Sequence, residues 1–159
     1  GVLGVIADTN TPIPGGTGTF TNYNCVVSLG NGEVAGSGEG SGGQNGIYAT
    51  VGGVPTLIAD LKTPVPDGTG NYTSFGLPVS IDDGNVAFIG TDSGFQQGIY
   101  RSLGGVLSTV ADFNTTVPGG GGNFNFFLNP VSIAGGDLTF TAFSSIKSPN
   151  GVDVPCALI

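Results

Sequence analysis

The chain has 159 residues, three cations, no His and a formal net charge of −8 at pH 7. Because nucleic acids and anionic lipids attract basic surfaces, we expect no nucleic-acid partner and no binding to anionic membrane surfaces. No apolar run is long enough to span a bilayer, so we also expect no membrane insertion. Without His, serine–histidine catalysis and imidazole-bound zinc or copper are excluded. The low charge, the acidic balance and the abundance of Gly, Thr and Asn predict an extracellular or cell-surface protein.

A repeat with a period of 52 residues runs through the chain. The tripeptide at 6–8, Ile-Ala-Asp, recurs as Ile-Ala-Asp at 58–60 and as Val-Ala-Asp at 110–112. A period of this size is typical of architectures in which each repeat is one supersecondary unit. We therefore expect a single repeat domain. Its repeats span approximately residues 9–60, 61–112 and 113–159 of the 1–159 domain.

The first element in chain order is a predicted strand over residues 1–8, which match residues 53–60. At 53–60 this sequence is the fourth strand of a repeat, so the N-terminal copy lacks its first three strands. The third repeat, in contrast, ends after its third strand. Because an unpaired strand edge attracts another strand, we expect the N-terminal strand to complete the last repeat.

The second repeat carries four predicted strands, separated by turns that contain Gly. The short gaps favour antiparallel hairpins, and no stretch has the apolar spacing of an amphipathic helix. The sequence therefore predicts an all-β fold of three four-stranded antiparallel repeats. In the second repeat the strands are predicted at residues 78–81, 85–90, 98–102 and 106–111.

The longest connection of this repeat is a loop rich in Pro and Gly, from Asp60 to about Gly76. Pro fixes φ and Gly permits positive φ, so we expect an ordered loop. One aromatic residue per repeat is expected to pack this loop against the sheet, namely Phe20, Tyr72 and Phe124. Loops of this length carry function more often than short hairpins do.

The order of these segments resembles the blade repeat of TolB-type β-propellers. The resemblance covers residues 78–88, 98–100 and 106–112, where a Pro and a Gly-containing turn precede an Ala-Phe strand, an Ile-Tyr strand and a closing apolar strand. Residues 84–88 are also similar to the Gly-x-x-Ala-Phe core of tandem repeats in secreted bacterial surface proteins. The resemblance implies a propeller blade in each repeat, and it implies no active site.

The other two repeats depart from this core at one position each. Gly36 stands where the second repeat has Phe88, and Thr139 stands where it has Ala87. These positions belong to the framework of a blade, so the departures concern packing.

Three blades are too few to close a ring, because propellers typically have about four to eight blades. We therefore expect a homo-oligomer, a six-bladed strand-exchanged dimer in which each N-terminal strand completes the other chain's last blade. A single-chain β-prism or β-trefoil is the main alternative. A piece of a longer propeller is a further one.

Three aligned acids, Asp8, Asp60 and Asp112, end the fourth strand and open the long loop. Their oxygens could help to bind Ca²⁺, which is a hard cation. Alternatively, each carboxylate accepts backbone N–H groups and fixes the turn. An acid in every repeat is what a framework role requires, so we favour the turn interpretation. No other cofactor and no catalytic residue is predicted.

Several further residues have two possible roles. Cys25 and Cys156 form either a disulfide or two buried free thiols. Asn71 and Asn114 begin N-glycosylation triplets, which arise readily by chance in a chain rich in Asn and Thr. Aromatic residues either stack on sugar rings or fill the core, and we favour the core. The aromatic candidates are Tyr48, Phe75, Tyr100, Phe126 and Phe127.

We therefore expect a non-enzymatic extracellular scaffold or binding module for adhesion, assembly or ligand binding, with a carbohydrate or a protein as partner. One alternative is a secreted hydrolase or lyase that acts on glycans through paired carboxylates. The other is a subunit of an extracellular filament or surface layer, which recruits the next copy head to tail.

Overall fold

The computed structural model describes residues 5–24, 28–119, 122–147 and 153–157. In this part of the chain all regular secondary structure is β, and the strands form antiparallel sheets. The predicted all-β, antiparallel class is therefore confirmed.

The strands are grouped into three sheets along the chain. The first sheet has the order β1-β3-β4-β5 with β2 also paired to β3, the second has the order β6-β7-β8-β9, and the third has the order β10-β11-β12. The first contains β1 (Phe20–Tyr23), β2 (Ser28–Gly30), β3 (Glu33–Gly40), β4 (Asn45–Val51) and β5 (Val54–Asp60). The second contains β6 (Tyr72–Asp82), β7 (Asn85–Asp92), β8 (Gln97–Leu103) and β9 (Val106–Asp112). The third contains β10 (Phe124–Ala134), β11 (Asp137–Lys147) and β12 (Asp153–Ala157).

The long loop of the second repeat is shorter than predicted. Strand β6 begins at Tyr72, and Tyr72 pairs with Asp92 across the sheet while Phe75 pairs with Gly90. The prediction of loop as far as Gly76 was therefore wrong. Thr73 and Ser74 are exposed strand residues, and their polarity gave these positions the composition of a loop.

The predicted N-terminal strand over residues 1–8 is only partly within the described residues, because residues 1–4 lie outside them. Residues 5–8 form no strand in the single chain, which corrects the prediction for that stretch. A strand forms only where a partner supplies N–H and C=O groups. Among the described residues β12 pairs with β11 alone, and strand exchange between two chains stays a prediction.

The core lies between the sheets, and the second sheet is buried on both of its faces. Along β7 successive side chains alternate between two apolar clusters, so that both Phe88 and Ile89 are buried. One cluster joins the first and second sheets through Ala35, Ile47, Ala49, Ala59, Val65, Tyr72, Val79, Ile81, Val86, Phe88 and Tyr100. The other joins the second and third through Ala87, Ile89, Ile99, Ala111, Val117, Phe124, Phe127, Val131, Ile133, Leu138, Phe140 and Ala142.

Two equivalent hydrogen bonds connect neighbouring sheets. The Ile81 N–H donates to Ser28 Oγ at 3.2 Å, and the Ile133 N–H donates to Ser80 Oγ at 3.1 Å. Both the donors and the acceptors are one sequence period apart. The second sheet therefore packs on the first in the same way as the third packs on the second.

Candidate functional site

One edge of each sheet carries a loop that begins at an aspartate. The carboxylates of Asp8, Asp60 and Asp112 each accept the N–H two residues ahead and the Thr hydroxyl three residues ahead. The N–H distances are 2.9 Å from Asn10, 3.0 Å from Lys62 and 3.0 Å from Asn114. The hydroxyl distances are 3.0 Å from Thr11, 2.7 Å from Thr63 and 2.7 Å from Thr115. This is the turn-fixing role that the sequence predicts.

These hydrogen bonds also lower the pKa of Asp8 below its usual value of 3.8, chiefly through the Asn10 N–H and then through the Thr11 hydroxyl. The carboxylate is therefore ionised at neutral pH and available as an acceptor. Among the described residues no three Asp, Glu, Cys or His side chains are grouped as ligands for a metal ion. Ca²⁺ binding by Asp8, Asp60 and Asp112 stays a prediction.

In the residues that the structure describes, the three loops close on themselves in the same way. In each, an apolar residue donates its N–H across the loop to a Gly carbonyl. The pairs are Ile13 to Gly18 at 3.1 Å, Val65 to Gly70 at 3.0 Å and Val117 to Gly122 at 2.9 Å. The aromatic residues expected to pack the loops, Phe20, Tyr72 and Phe124, are buried.

A second loop lies against the long loop at the edge of the second sheet. Its first residue, Asp92, is buried, and Asp92 Oδ1 accepts the N–H groups of Gly94 at 2.7 Å and Gln96 at 2.9 Å. Thr69 of the long loop donates its hydroxyl to Asp92 Oδ2 at 3.3 Å, and Ser93 donates its hydroxyl to the Thr69 carbonyl at 3.0 Å. The two loops are therefore held together as one rigid edge.

At the tip of this second loop, Phe95 is 87 % exposed and has a φ of 61°. A positive φ is a rare conformation for a bulky side chain. One period earlier, the first sheet has Gly43 at the same loop position, with a φ of 78°. Phe95 was not predicted from the sequence, although its alignment with a Gly in the preceding repeat is a visible signal.

The aromatic residues proposed for the core divide into two groups. Tyr48, Tyr100 and Phe127 are buried and Phe75 is half-buried, whereas Phe126 is 49 % exposed. Burial raises the pKa of the Tyr48 hydroxyl to about 12, with a further contribution from the negative charge of Asp60. Burial likewise raises the pKa of Tyr100 to about 12, with Asp92 and Asp112 adding to the effect. Both phenols therefore stay neutral well above physiological pH.

An apolar cavity of about 330 Å³ opens on the outer face of the first sheet. It lies beside Gly36, the position that Phe88 and Phe140 occupy in the other two sheets. The glycine therefore leaves open a volume that an aromatic ring fills elsewhere in the molecule. Other residues that line the cavity are Ile6, Phe20, Tyr23, Tyr48 and Pro55.

Residues 1–153 match a family that is described as a family of unknown function, DUF7453. The chain belongs to this family. No curated protein and no solved structure matches the chain.

The remaining predicted sites of this DUF7453 member lie partly outside the described residues. Cys25 is outside them, and Cys156 is described only as a backbone position of β12, so the disulfide stays a prediction. Asn71 and Asn114 are both exposed in loops, and Asn114 Nδ2 donates to Asp112 Oδ2 at 3.3 Å. In the part of the chain that is described, no helix is long and apolar enough to cross a membrane.

Proposed function

We propose that the chain is a non-enzymatic extracellular binding module, a scaffold whose rigid loop edge presents Phe95 to a carbohydrate. The observation that carries this proposal is the pairing of exposure with strain at Phe95, which is 87 % exposed at a φ of 61°. Such strain persists only where the surroundings enforce it, and it concentrates at ligand-binding positions. Gly43 in the first repeat adopts the same left-handed region without a side chain.

The chemistry of an exposed aromatic ring on a hydrogen-bonded loop suits a sugar. The apolar face of a pyranose packs on an aromatic face, and loop hydroxyls and amides can hydrogen-bond the sugar hydroxyls around it. Ser93 and Gln96 are exposed in the same loop, two residues before and one residue after Phe95. The net charge of −8 disfavours acidic glycans, so the proposed ligand is a neutral polysaccharide.

For the architecture we propose a propeller-like arrangement of the sheets. The repeated Ser28–Ile81 and Ser80–Ile133 hydrogen bonds support it, because each sheet packs face to face on the next in one register. Two copies would supply six sheets, a number within the usual range of roughly four to eight blades. The resemblance to TolB-type blades favours this arrangement over a β-prism or β-trefoil.

The test is binding of the chain to immobilised cellulose, chitin, mannan and starch. We expect the parent to bind at least one of them and Phe95→Gly to lose binding by about tenfold or more, which corresponds to about 1.4 kcal/mol. Phe95→Trp should retain binding, because it keeps an aromatic face.

Phe95→Gly is also expected to leave the free energy of unfolding unchanged or to raise it by up to about 1 kcal/mol, because the strain is removed. A loss of binding is therefore not a loss of fold. Equal binding by Phe95→Gly and the parent, or no binding by the parent to any of the polymers, would contradict the proposal. Release of reducing sugars from the polymers would support a hydrolase instead.

A further inference from the structure

The outer face of the first sheet has the composition of a face that is covered in the other sheets. We call it the front face; it carries Phe20, Tyr23, Leu29, Gly36 and Tyr48. In the second and third sheets the corresponding face is packed on the preceding sheet. Ile81 and Ile133, which match Leu29 by one and two periods, are 3 % and 5 % exposed, whereas Leu29 is 73 % exposed. On this front face Leu29 is exposed, Phe20 and Tyr48 are buried, and Ile6 of the N-terminal segment lines the cavity.

The outer face of the third sheet is exposed. We call it the back face; it carries Phe126, Leu128, Ser132, Thr139 and Thr141, all of them exposed. In the second sheet the positions of Phe126 and Leu128 are taken by the smaller Ser74 and Gly76. Gly76 lies directly beside the third sheet, because a Cβ there would stand 3.1 Å from Asn129 Nδ2. Leu128 therefore lies on the face whose counterpart in the second sheet packs against the following sheet.

The two faces differ in side-chain volume from the second sheet in opposite directions. The front face lacks an aromatic ring at Gly36 and has a cavity of about 330 Å³ there. The back face has gained side-chain volume at Phe126 and Leu128, relative to the second sheet. Relative to the second sheet, side-chain volume is therefore lost at one end of the stack and gained at the other.

The faces are complementary in hydrogen bonding. Ser28 and Ser80 each accept an N–H from the next sheet, at Ile81 and Ile133. Ser132 is the third serine of this series and is exposed on the back face. One period before Ile81 the series has Leu29, so the equivalent N–H donor at the other end of the stack is that of Leu29 on the front face.

From these four observations we propose that two copies of this chain dock head to tail, with the back face of one copy packed on the front face of the other. The contact continues the face-to-face packing of the sheets within the chain and needs no exchange of strands. If both ends pair between the same two copies, the assembly closes as a dimer. This inference rests on the stacked scaffold of the proposed function and adds its partner, a second copy.

The test uses one charge on each face. Leu29→Asp alters the front face and Phe126→Asp the back face, and both side chains are exposed in the single chain, so the fold does not depend on them. In sedimentation at about 0.15 M salt, chosen to screen repulsion between the acidic chains, we expect the parent to be a dimer or larger. Each variant should be at least about tenfold weaker in self-association. Val106→Asp, which places the same charge at an exposed position of the second sheet, should associate like the parent.

Mixing the two variants gives the decisive result. Leu29→Asp keeps an intact back face and Phe126→Asp an intact front face, so an equimolar mixture should form a one-to-one dimer and no larger species. Three results would overturn the inference: a monomeric parent, variants that associate like the parent, and a mixture that stays monomeric. Association that survives both substitutions would indicate strand exchange instead.

The same preparations separate this inference from the proposed function. Neither substitution touches Phe95, so polysaccharide binding should persist in both variants. A monomeric parent that binds polysaccharide would overturn the docking and leave the binding module standing. A parent that assembles through these faces without binding any polysaccharide would overturn the binding module and leave the docking standing.

Discussion

At the scale of single residues, Asp60 shows how an acidic side chain is kept in a nearly buried position. The residue is 7 % exposed, and its carboxylate accepts the Lys62 N–H and the Thr63 hydroxyl. An ionised group is costly to bury unless it is hydrogen-bonded, so these donors compensate for its lost hydration. The loop in turn depends on the carboxylate to orient its first residues.

Replacing Asp60 by Ala should therefore destabilise the protein. The substitution leaves the Lys62 N–H and the Thr63 hydroxyl without their acceptor, and we expect a loss of about 2 kcal/mol in the free energy of unfolding. Asp60→Asn keeps one acceptor oxygen and should lose less. Both values can be measured by denaturant unfolding.

The control is Asp67→Asn, which removes the same charge from an exposed position of the same loop. Asn tolerates the φ of 55° that Asp67 adopts, so a change within about 0.5 kcal/mol is expected. Equal losses for Asp60→Asn and Asp67→Asn would show that net charge, and not the turn, determines the effect.

At the scale of elements, one hairpin recurs in each sheet with a left-handed turn: it joins β2 to β3 in the first sheet, β6 to β7 in the second and β10 to β11 in the third. The two central residues have φ values of 49° and 82° in the first sheet, 48° and 73° in the second, and 58° and 89° in the third. Type I′ turns require positive φ at both positions, which Asn, Asp and Gly tolerate best. The turn residues are Asn31 and Gly32, Asp83 and Gly84, and Gly135 and Gly136.

This recurrence predicts which residues Gly135 can be exchanged for. Gly135→Asn copies the first sheet and should change the free energy of unfolding by less than about 0.5 kcal/mol, whereas Gly135→Val should cost about 1–2 kcal/mol. A Cβ at Gly135 would meet no atom within 4 Å, so the cost is conformational and not a clash. Denaturant unfolding of the two variants measures the difference. Equal stabilities would contradict the left-handed turn.

The strands were the feature of the fold that the sequence predicted best. Strands β7, β8 and β9 were predicted to within two residues of their observed ends, because Gly-containing turns flank apolar runs that repeat. The start of β6 was missed because Thr73 and Ser74 are polar, and sequence does not show that Tyr72 pairs with Asp92 across the sheet. Local composition identifies a strand well only where at least one face of it is apolar.

The candidate site was predicted only in part. The turn-fixing role of Asp8, Asp60 and Asp112 followed from their repetition, which marks a framework function. Phe95 was missed because its significance is a backbone angle and an exposure, and neither is visible in one repeat taken alone. The cavity beside Gly36 was missed for a similar reason, since the sequence shows the missing ring but not which face remains open.

At the scale of the whole molecule, the second sheet joins the other two into one body. Its two faces belong to different apolar clusters, one shared with the first sheet and one with the third. No sheet can therefore unfold without exposing apolar surface of a neighbour, and such coupling favours a single cooperative transition.

Phe88→Ala tests this coupling, because Phe88 is completely buried between the first and second sheets. Removing the ring leaves a cavity in a cluster that both sheets share, and we expect a loss of about 3–5 kcal/mol in the free energy of unfolding. The loss should shift one transition, seen identically by tyrosine fluorescence and far-ultraviolet circular dichroism. Phe95→Ala removes the same ring from an exposed position and should leave the midpoint nearly unchanged. Two transitions in Phe88→Ala, one of them at the midpoint of the parent, would instead mean that the sheets unfold independently and that their stacking contributes little to stability.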